Sequence, residues 1–349
     1  MSEKLREMLS YCRPSGSATE AQFVKKFIDV HDPLVDAFGN RILIIGPQDA
    51  EIMFASHFDT VHRRGGRQKV RVSRNGEYIA TSKHSNCLGA DDTTGVYIML
   101  ELIEAKIPGV YVFHYGEEVG CIGAQGLHKD DEFNILPSLK ASIEFDRRGY
   151  DSCVTHQMGQ RCASDEFAKA LCKQLPGNFV PDDGGIWTDN QEYVDTIPEV
   201  VNLSVGYFSQ HSSAETQNPS FVAELVHALK EVDYESLPIL RDPTIVERTQ
   251  SGSLSGGRGR RSGGYSQGSF TSLLAIIEMY PEAAADAMWE YGFSERDIEA
   301  FVPEGMQQEL DLDSSGYEAM TDGEISQALA DEISDDEHWM HEHYERFAG

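Results

Sequence analysis

Glu117 and Glu118 are adjacent carboxylates, bracketed by Gly116 and Gly120, just beyond the apolar run Val110-Tyr111-Val112-Phe113. The run reads as a buried strand. Two anions held close at a strand end repel each other, and one takes up a proton unless cations sit nearby. Taken alone, the pair reads more readily as a solvated loop, because buried unpaired carboxylates are rare. Further residues change that balance: His57-Phe58-Asp59, Asp91, Asp146 and His211. Hydrolytic metal centres need histidines and carboxylates converging from several strand ends, and a two-metal centre needs a carboxylate shared between the ions. Each residue has a plainer reading on its own. His57-x-Asp59 could be a hydrogen-bonded pair, Asp91 a helix cap, Asp146 a salt-bridge partner of Arg147 or Arg148, and His211 an ordinary histidine. Their joint occurrence at strand and helix termini favours the metal reading.

The elements that must carry these residues can be read from periodicity. Residues 3–11 and 20–30 have helical spacing, the second with Thr19 as a candidate cap. Val35 to Ile45 reads as two strands turning at Gly39-Asn40, and Glu51 to Ser56 as the strand that ends at His57. The basic stretch 63–82 alternates either side of Asn75-Gly76, as a surface hairpin does. Helices are expected at 94–105, 122–129, 163–175 and 217–232. Strands are expected at 141–145, 152–157, 177–181 and 200–205. Alternating strands and helices predict an α/β fold, a three-layer αβα sandwich around a mixed, mostly parallel sheet. Sheets of that kind place their sites outside the strand ends, where His57, Glu117, Asp146 and His211 fall.

Composition bounds the partners. The 349 residues carry a net charge of −29, and residues 269–349 alone carry −19. Such a chain repels nucleic acid and anionic membrane surfaces. No apolar run reaches the roughly 18 residues of a membrane span, and the first residues lack the apolar core of a signal peptide. The six cysteines, with no Cys-x-x-Cys pair among them, read as reduced thiols of a cytoplasmic protein. Residues 1–240 read as the catalytic domain and 241–269 as a linker rich in Gly, Ser and Arg. Residues 270–349 read as an acidic extension, helical over 270–302 or partly disordered. It could dock a protein partner or a second copy of the chain.

The segments HFDTVH (57–62), LGADDTTG (88–95), GEEVGCIGAQG (116–126), IEFD (143–146) and GYFSQHSSAE (206–215), in that order, resemble the co-catalytic zinc exopeptidases. That superfamily includes leucyl-type aminopeptidases, peptidase T-like tripeptidases and glutamate carboxypeptidase-like enzymes. The resemblance spans about residues 1–235. It implies two Zn²⁺ (Co²⁺ or Mn²⁺ would suit the same donors) bridged by Asp91. His57 and Asp146 would complete one position, Glu118 and His211 the other. Asp59 would orient His57, and Glu117 would be the general base for attack of water on a peptide carbonyl. Only 64 residues separate Asp146 from His211, too few for the lid and dimerisation domain of many relatives. A compact form is therefore expected. In the resembled superfamily, Asp at the position of Asp146 goes with aminopeptidases and Glu with carboxypeptidases. Arg147, Arg148 and Arg161 could instead hold a substrate carboxylate, and Asp189 matches a polar position near the site. A carboxypeptidase, a di-zinc amidohydrolase or deacylase, and a non-catalytic scaffold binding through its acidic tail are the alternatives.

Overall fold

The computed structural model describes residues 2–47, 50–80 and 85–247. Residues 81–84 and 248–349, which hold most of the expected linker, the expected helical stretch 270–302 and the expected acidic extension, lie outside the described residues.

Eight strands form one sheet. In spatial order they are Val180–Asp182, Ser152–Val154, Glu199–Ser204, Ala141–Arg147, Ile52–His57, Gly109–His114, Arg41–Ile45 and Leu34–Val35. The four in the middle, from Glu199–Ser204 to Gly109–His114, are mutually parallel. Antiparallel pairs flank them on both sides. The central strands are apolar on both faces because both faces are covered. Phe54, Tyr111, Phe113, Ile143, Phe145 and Leu203 turn to one layer. The alternate residues Met53, Ala55, Val110, Val112 and Val200 turn to the other, the period of two that a pleated strand imposes.

On the first face pack helices α1 (Glu3–Met8), α2 (Ala18–Phe27), α3 (Ala90–Glu104), α5 (Asp165–Cys172) and α6 (Pro219–Glu231). Helix α4 (Ile122–Lys129) and the 3₁₀ turn Asp189–Tyr193 cover the second. The expected three-layer sandwich and its mostly parallel sheet are thus observed. Several element bounds differ. Ser17, not Thr19, caps α2 by accepting the amide of Glu20 at 3.1 Å, while the Thr19 hydroxyl takes the amide of Gly66. Helix α3 starts four residues earlier than its apolar pattern, because Asp91 and Asp92 form a non-helical kink at its head. The peptide bond between them is cis. Gly95 lets α3 lie close to the sheet, since a Cβ there would stand 2.6 Å from the carbonyl oxygen of Phe145. The hairpin about Asn75-Gly76 pairs Val70–Val72 with Tyr78–Ala80. All six cysteines are buried and free. Among the described residues no helix is long and apolar enough to cross a membrane.

Candidate metal centre

The carboxyl ends of the four central parallel strands lie side by side and lead into the same cluster. Strand Ile52–His57 ends on His57. Gly109–His114 leads into the turn that carries Glu117 and Glu118. Ala141–Arg147 presents Asp146, and Glu199–Ser204 runs on towards His211. The kinked head of α3 projects Asp91 between them. Asp91 does not cap α3. That role falls to Asp92, whose Oδ1 accepts the amide of Gly95 at 2.8 Å, so the carboxylate of Asp91 is free to face the histidines.

Asp91 stands at the centre. Its Oδ1 is 3.1 Å from His57 Nε2 and its Oδ2 is 3.2 Å from His211 Nε2. Asp146 Oδ2 lies 3.9 Å from His57 Nε2, and Glu118 Oε1 lies 3.3 Å from His211 Nε2. Three triads result, His57–Asp91–Asp146, Asp91–Glu118–His211 and His57–Glu117–Glu118. In each, one ligand atom per residue falls within 4.8 Å of the others. The first two share Asp91, as a bridging carboxylate requires. Glu117 sits beside them with Oε2 at 3.9 Å from His57 Nε2.

Asp59 organises this cluster from below. Fully buried, it accepts the backbone amides of Glu117 at 3.1 Å and Glu118 at 3.2 Å. The same carboxylate faces His57 Nδ1 at 3.3 Å. It thereby ties the turn of the paired glutamates to the strand end of the first histidine.

The electrostatics fit a cationic guest. Burial pushes the Glu117 carboxyl well above its ordinary range, and the Glu118 charge adds to this against the pull of His57. Burial likewise raises Asp146, with Asp91 adding to it. Burial works against charge on the histidines and on Asp91 too, but their mutual contacts outweigh it: both imidazoles are raised and Asp91 is lowered. Two imidazoles cannot neutralise four clustered carboxylates, and buried Glu118 Oε1 has only the His211 imidazole, 3.3 Å away, to offset its charge. Histidine and carboxylate donors in this arrangement suit divalent metals such as zinc, cobalt or manganese.

The remaining expected site residues fall elsewhere. Arg147 pairs through Nη2 with Asp182 at 3.1 Å and with the carbonyl of Gly184 at 3.2 Å. Arg148 is exposed, and its carbonyl accepts the Ser204 hydroxyl. Arg161 pairs with Asp165 and Glu247. Asp189 is fully buried, 3.3 Å from His114 Nδ1, in the layer beneath the glutamate turn. Residues with no role assigned from sequence also enter. Tyr207 donates its hydroxyl to Asp146 Oδ1 at 2.8 Å. The buried guanidinium of Arg13 donates to the Phe58 carbonyl at 2.7 Å and the Thr93 hydroxyl at 2.8 Å, bracing the strand end of His57 against α3. Glu215 holds the backbone at the head of α3. Tyr207 and Glu215 lie in the segment 206–215, but nothing local marks their partners.

Neither a protein-family model nor a curated protein sequence matches the chain. Solved structures match it in fold. The aminopeptidase PepT from Bacillus cereus ATCC 10987 aligns with a TM-score of 0.54 at 17% identity, over 65% of this chain and 95% of its own. A TET aminopeptidase from the marine sediment archaeon Thaumarchaeota archaeon SCGC AB-539-E09 aligns at 0.51 and 14%, over 67% and 98%. A tripeptidase from Staphylococcus aureus subsp. aureus Mu50 gives 0.50 and 16%, over 65% and 95%. The fold of this chain is the α/β peptidase fold of these proteins, as the five sequence segments imply.

Proposed function

We propose that the chain is a metal-dependent exopeptidase, an aminopeptidase, working with two zinc ions. One observation carries the reading: two three-residue ligand groups that share Asp91, with Glu117 standing beside them. The peptidase fold of the structural neighbours supports it. His57, Asp91 and Asp146 would hold one ion, and Asp91, Glu118 and His211 the other. Bound there, the ions would acidify a water molecule and polarise the scissile carbonyl.

The chain's own residues supply the rest. Glu117, unprotonated beside the cations, takes a proton from the attacking water and returns it to the leaving amine. Asp59 fixes that base by gripping its backbone amide, so the carboxylate needs little reorganisation during the reaction. Tyr207 occupies one oxygen of Asp146 and leaves the other to face the metal position. In the resembled superfamily, an Asp at the position of Asp146 goes with recognition of a free N-terminus, and this supports the aminopeptidase assignment. Arg147 and Arg148 are proposed to meet the distal carboxylate of a short peptide once each leaves its present partner. Buried free thiols fit a cytoplasmic setting.

The test is Glu117→Gln. It should keep both metal ions and lower kcat by about 10²–10⁴-fold, the usual contribution of a positioned acid–base group. Wild-type turnover in that variant would remove the assignment of the base.

A further inference from the structure

Glu215 is a buried carboxylate with both oxygens in use. Its Oε2 accepts the amides of Leu88 at 2.7 Å and Gly89 at 2.8 Å. Its Oε1 accepts those of Ala90 at 2.8 Å and Asp91 at 3.1 Å. Four successive amides turned to one point form an anion-binding nest at the positive end of α3. Gly89, in the left-handed conformation with φ of 69°, allows the backbone to curl in this way.

The carboxylate that fills this nest comes from the loop that carries His211. Glu215 and His211 are four residues apart, and the loop between them is tight. The Glu215 amide bonds the Ser212 carbonyl at 3.1 Å, and the Ser212 hydroxyl bonds the Ser209 carbonyl at 2.7 Å. Gln217 adds a parallel strut, accepting the Thr94 hydroxyl at 2.5 Å and donating to the Val205 carbonyl at 3.0 Å. Segments more than 120 residues apart in sequence are thus fastened at the point where Asp91 and His211 face each other. The other partners of Asp91 are held by different means. His57 sits on its strand over Asp59. Asp146 is fixed by its own strand, by Tyr207, and by Asn202, which accepts its amide at 2.9 Å.

We infer that Glu215 is a positioning residue. It clamps the His211 loop onto the Asp91 loop, and so sets the metal affinity of the Asp91–Glu118–His211 position far more than that of the His57–Asp91–Asp146 position. This rests on the metal-centre reading above. A glutamine could not replace it, because the amide group would offer one acceptor oxygen and turn an NH₂ donor against two of the four amides.

The experiment uses the full chain, stripped of metal with a chelator and titrated with Co²⁺. Visible absorption and elemental analysis give the number of ions bound and their affinities, and far-UV circular dichroism confirms folding. Wild type should bind two Co²⁺. Glu215→Gln should hold one ion within about 3-fold of its wild-type affinity and bind the other about 10–100-fold more weakly, the usual cost of losing a group that orients metal ligands. Adding Glu215→Gln to His211→Ala should leave the one remaining position within about 3-fold of its affinity in His211→Ala alone. If Glu215→Gln does not fold, Glu215→Asp, which keeps the charge on a shorter arm, should show the same selective weakening. Two unchanged affinities in a folded variant would overturn the clamp, and so would equal weakening of both positions. Absence of Co²⁺ binding by wild type would instead overturn the metal-centre reading itself.

Discussion

Replacing Asp59 by Asn should uncouple the paired glutamates from His57 with almost no change of volume. The carboxylate has three partners: the amides of Glu117 and Glu118 at 3.1 and 3.2 Å, and His57 Nδ1 at 3.3 Å. An asparagine keeps one acceptor oxygen and presents an NH₂ where the second stood. If the remaining oxygen stays with the Glu117 amide and His57, the Glu118 amide is left without an acceptor in a fully buried place. An unsatisfied buried donor costs about 1–3 kcal/mol, so Asp59→Asn should unfold that much more easily in urea. The imidazole also loses its anionic support. Loss of such support lowers metal affinity by about 10–100-fold, roughly 1.4–2.7 kcal/mol. The assays are a urea unfolding curve and a competition titration with a chromogenic chelator, each on wild type and variant. Peptide hydrolysis at saturating metal should then show a fall in kcat with KM little changed, because the turn that positions Glu117 loses one of its two anchors while the substrate contacts are unchanged. A variant with wild-type metal affinity and wild-type kcat would refute the reasoning, since the three contacts would then contribute nothing to the centre.

Other outcomes follow from the same geometry. His57→Ala and His211→Ala should each lose metal, and full occupancy by elemental analysis would contradict the ligand assignment. Gly95→Ala should cost about 1–3 kcal/mol as an overpacked contact, because the new methyl would meet the Phe145 carbonyl in the strand that carries Asp146; an unchanged melting temperature would argue against the close approach of α3. His62 should give a pH signature. Burial, with Arg13 nearby, lowers its pKa to about 4. The Thr60 hydroxyl, which accepts the Arg13 amide, is 2.7 Å from His62 Nδ1. A histidine held neutral in the fold binds a proton more readily once unfolded. Its stability is therefore full above about pH 6.5 and falls as pH drops towards about 4, by about 3 kcal/mol in all. The stability of wild type relative to His62→Gln should shrink over that window, whereas a constant difference would exclude titration of His62 as its source.

The architecture was legible in the sequence because parallel strands buried on both faces leave short apolar runs. Sites of such sheets lie at the strand ends, so the residue after each run carried the signal. His57, Glu117 and Asp146 were found in this way, one strand at a time. Helix bounds were less legible where polar chemistry overrode apolar periodicity. The head of α3 is the example: its first residues serve Asp91 and Glu215 rather than the core. What the sequence did not reveal are the partners fixed across long chain separations. Glu215 to the amides of 88–91, Tyr207 to Asp146 and Arg13 to Thr93 join distant segments with no period or local motif. Arg147 shows the converse: adjacency to Asp146 suggested a substrate contact, whereas its guanidinium is engaged with Asp182 across the sheet edge.

The most direct test of the account is metal content per chain by elemental analysis, run beside hydrolysis of dipeptides with free and with blocked N-termini. About two zinc ions are expected, with cleavage only where the N-terminus is free. A protein that binds no metal after reconstitution, or that cleaves peptides with blocked N-termini equally well, would contradict it.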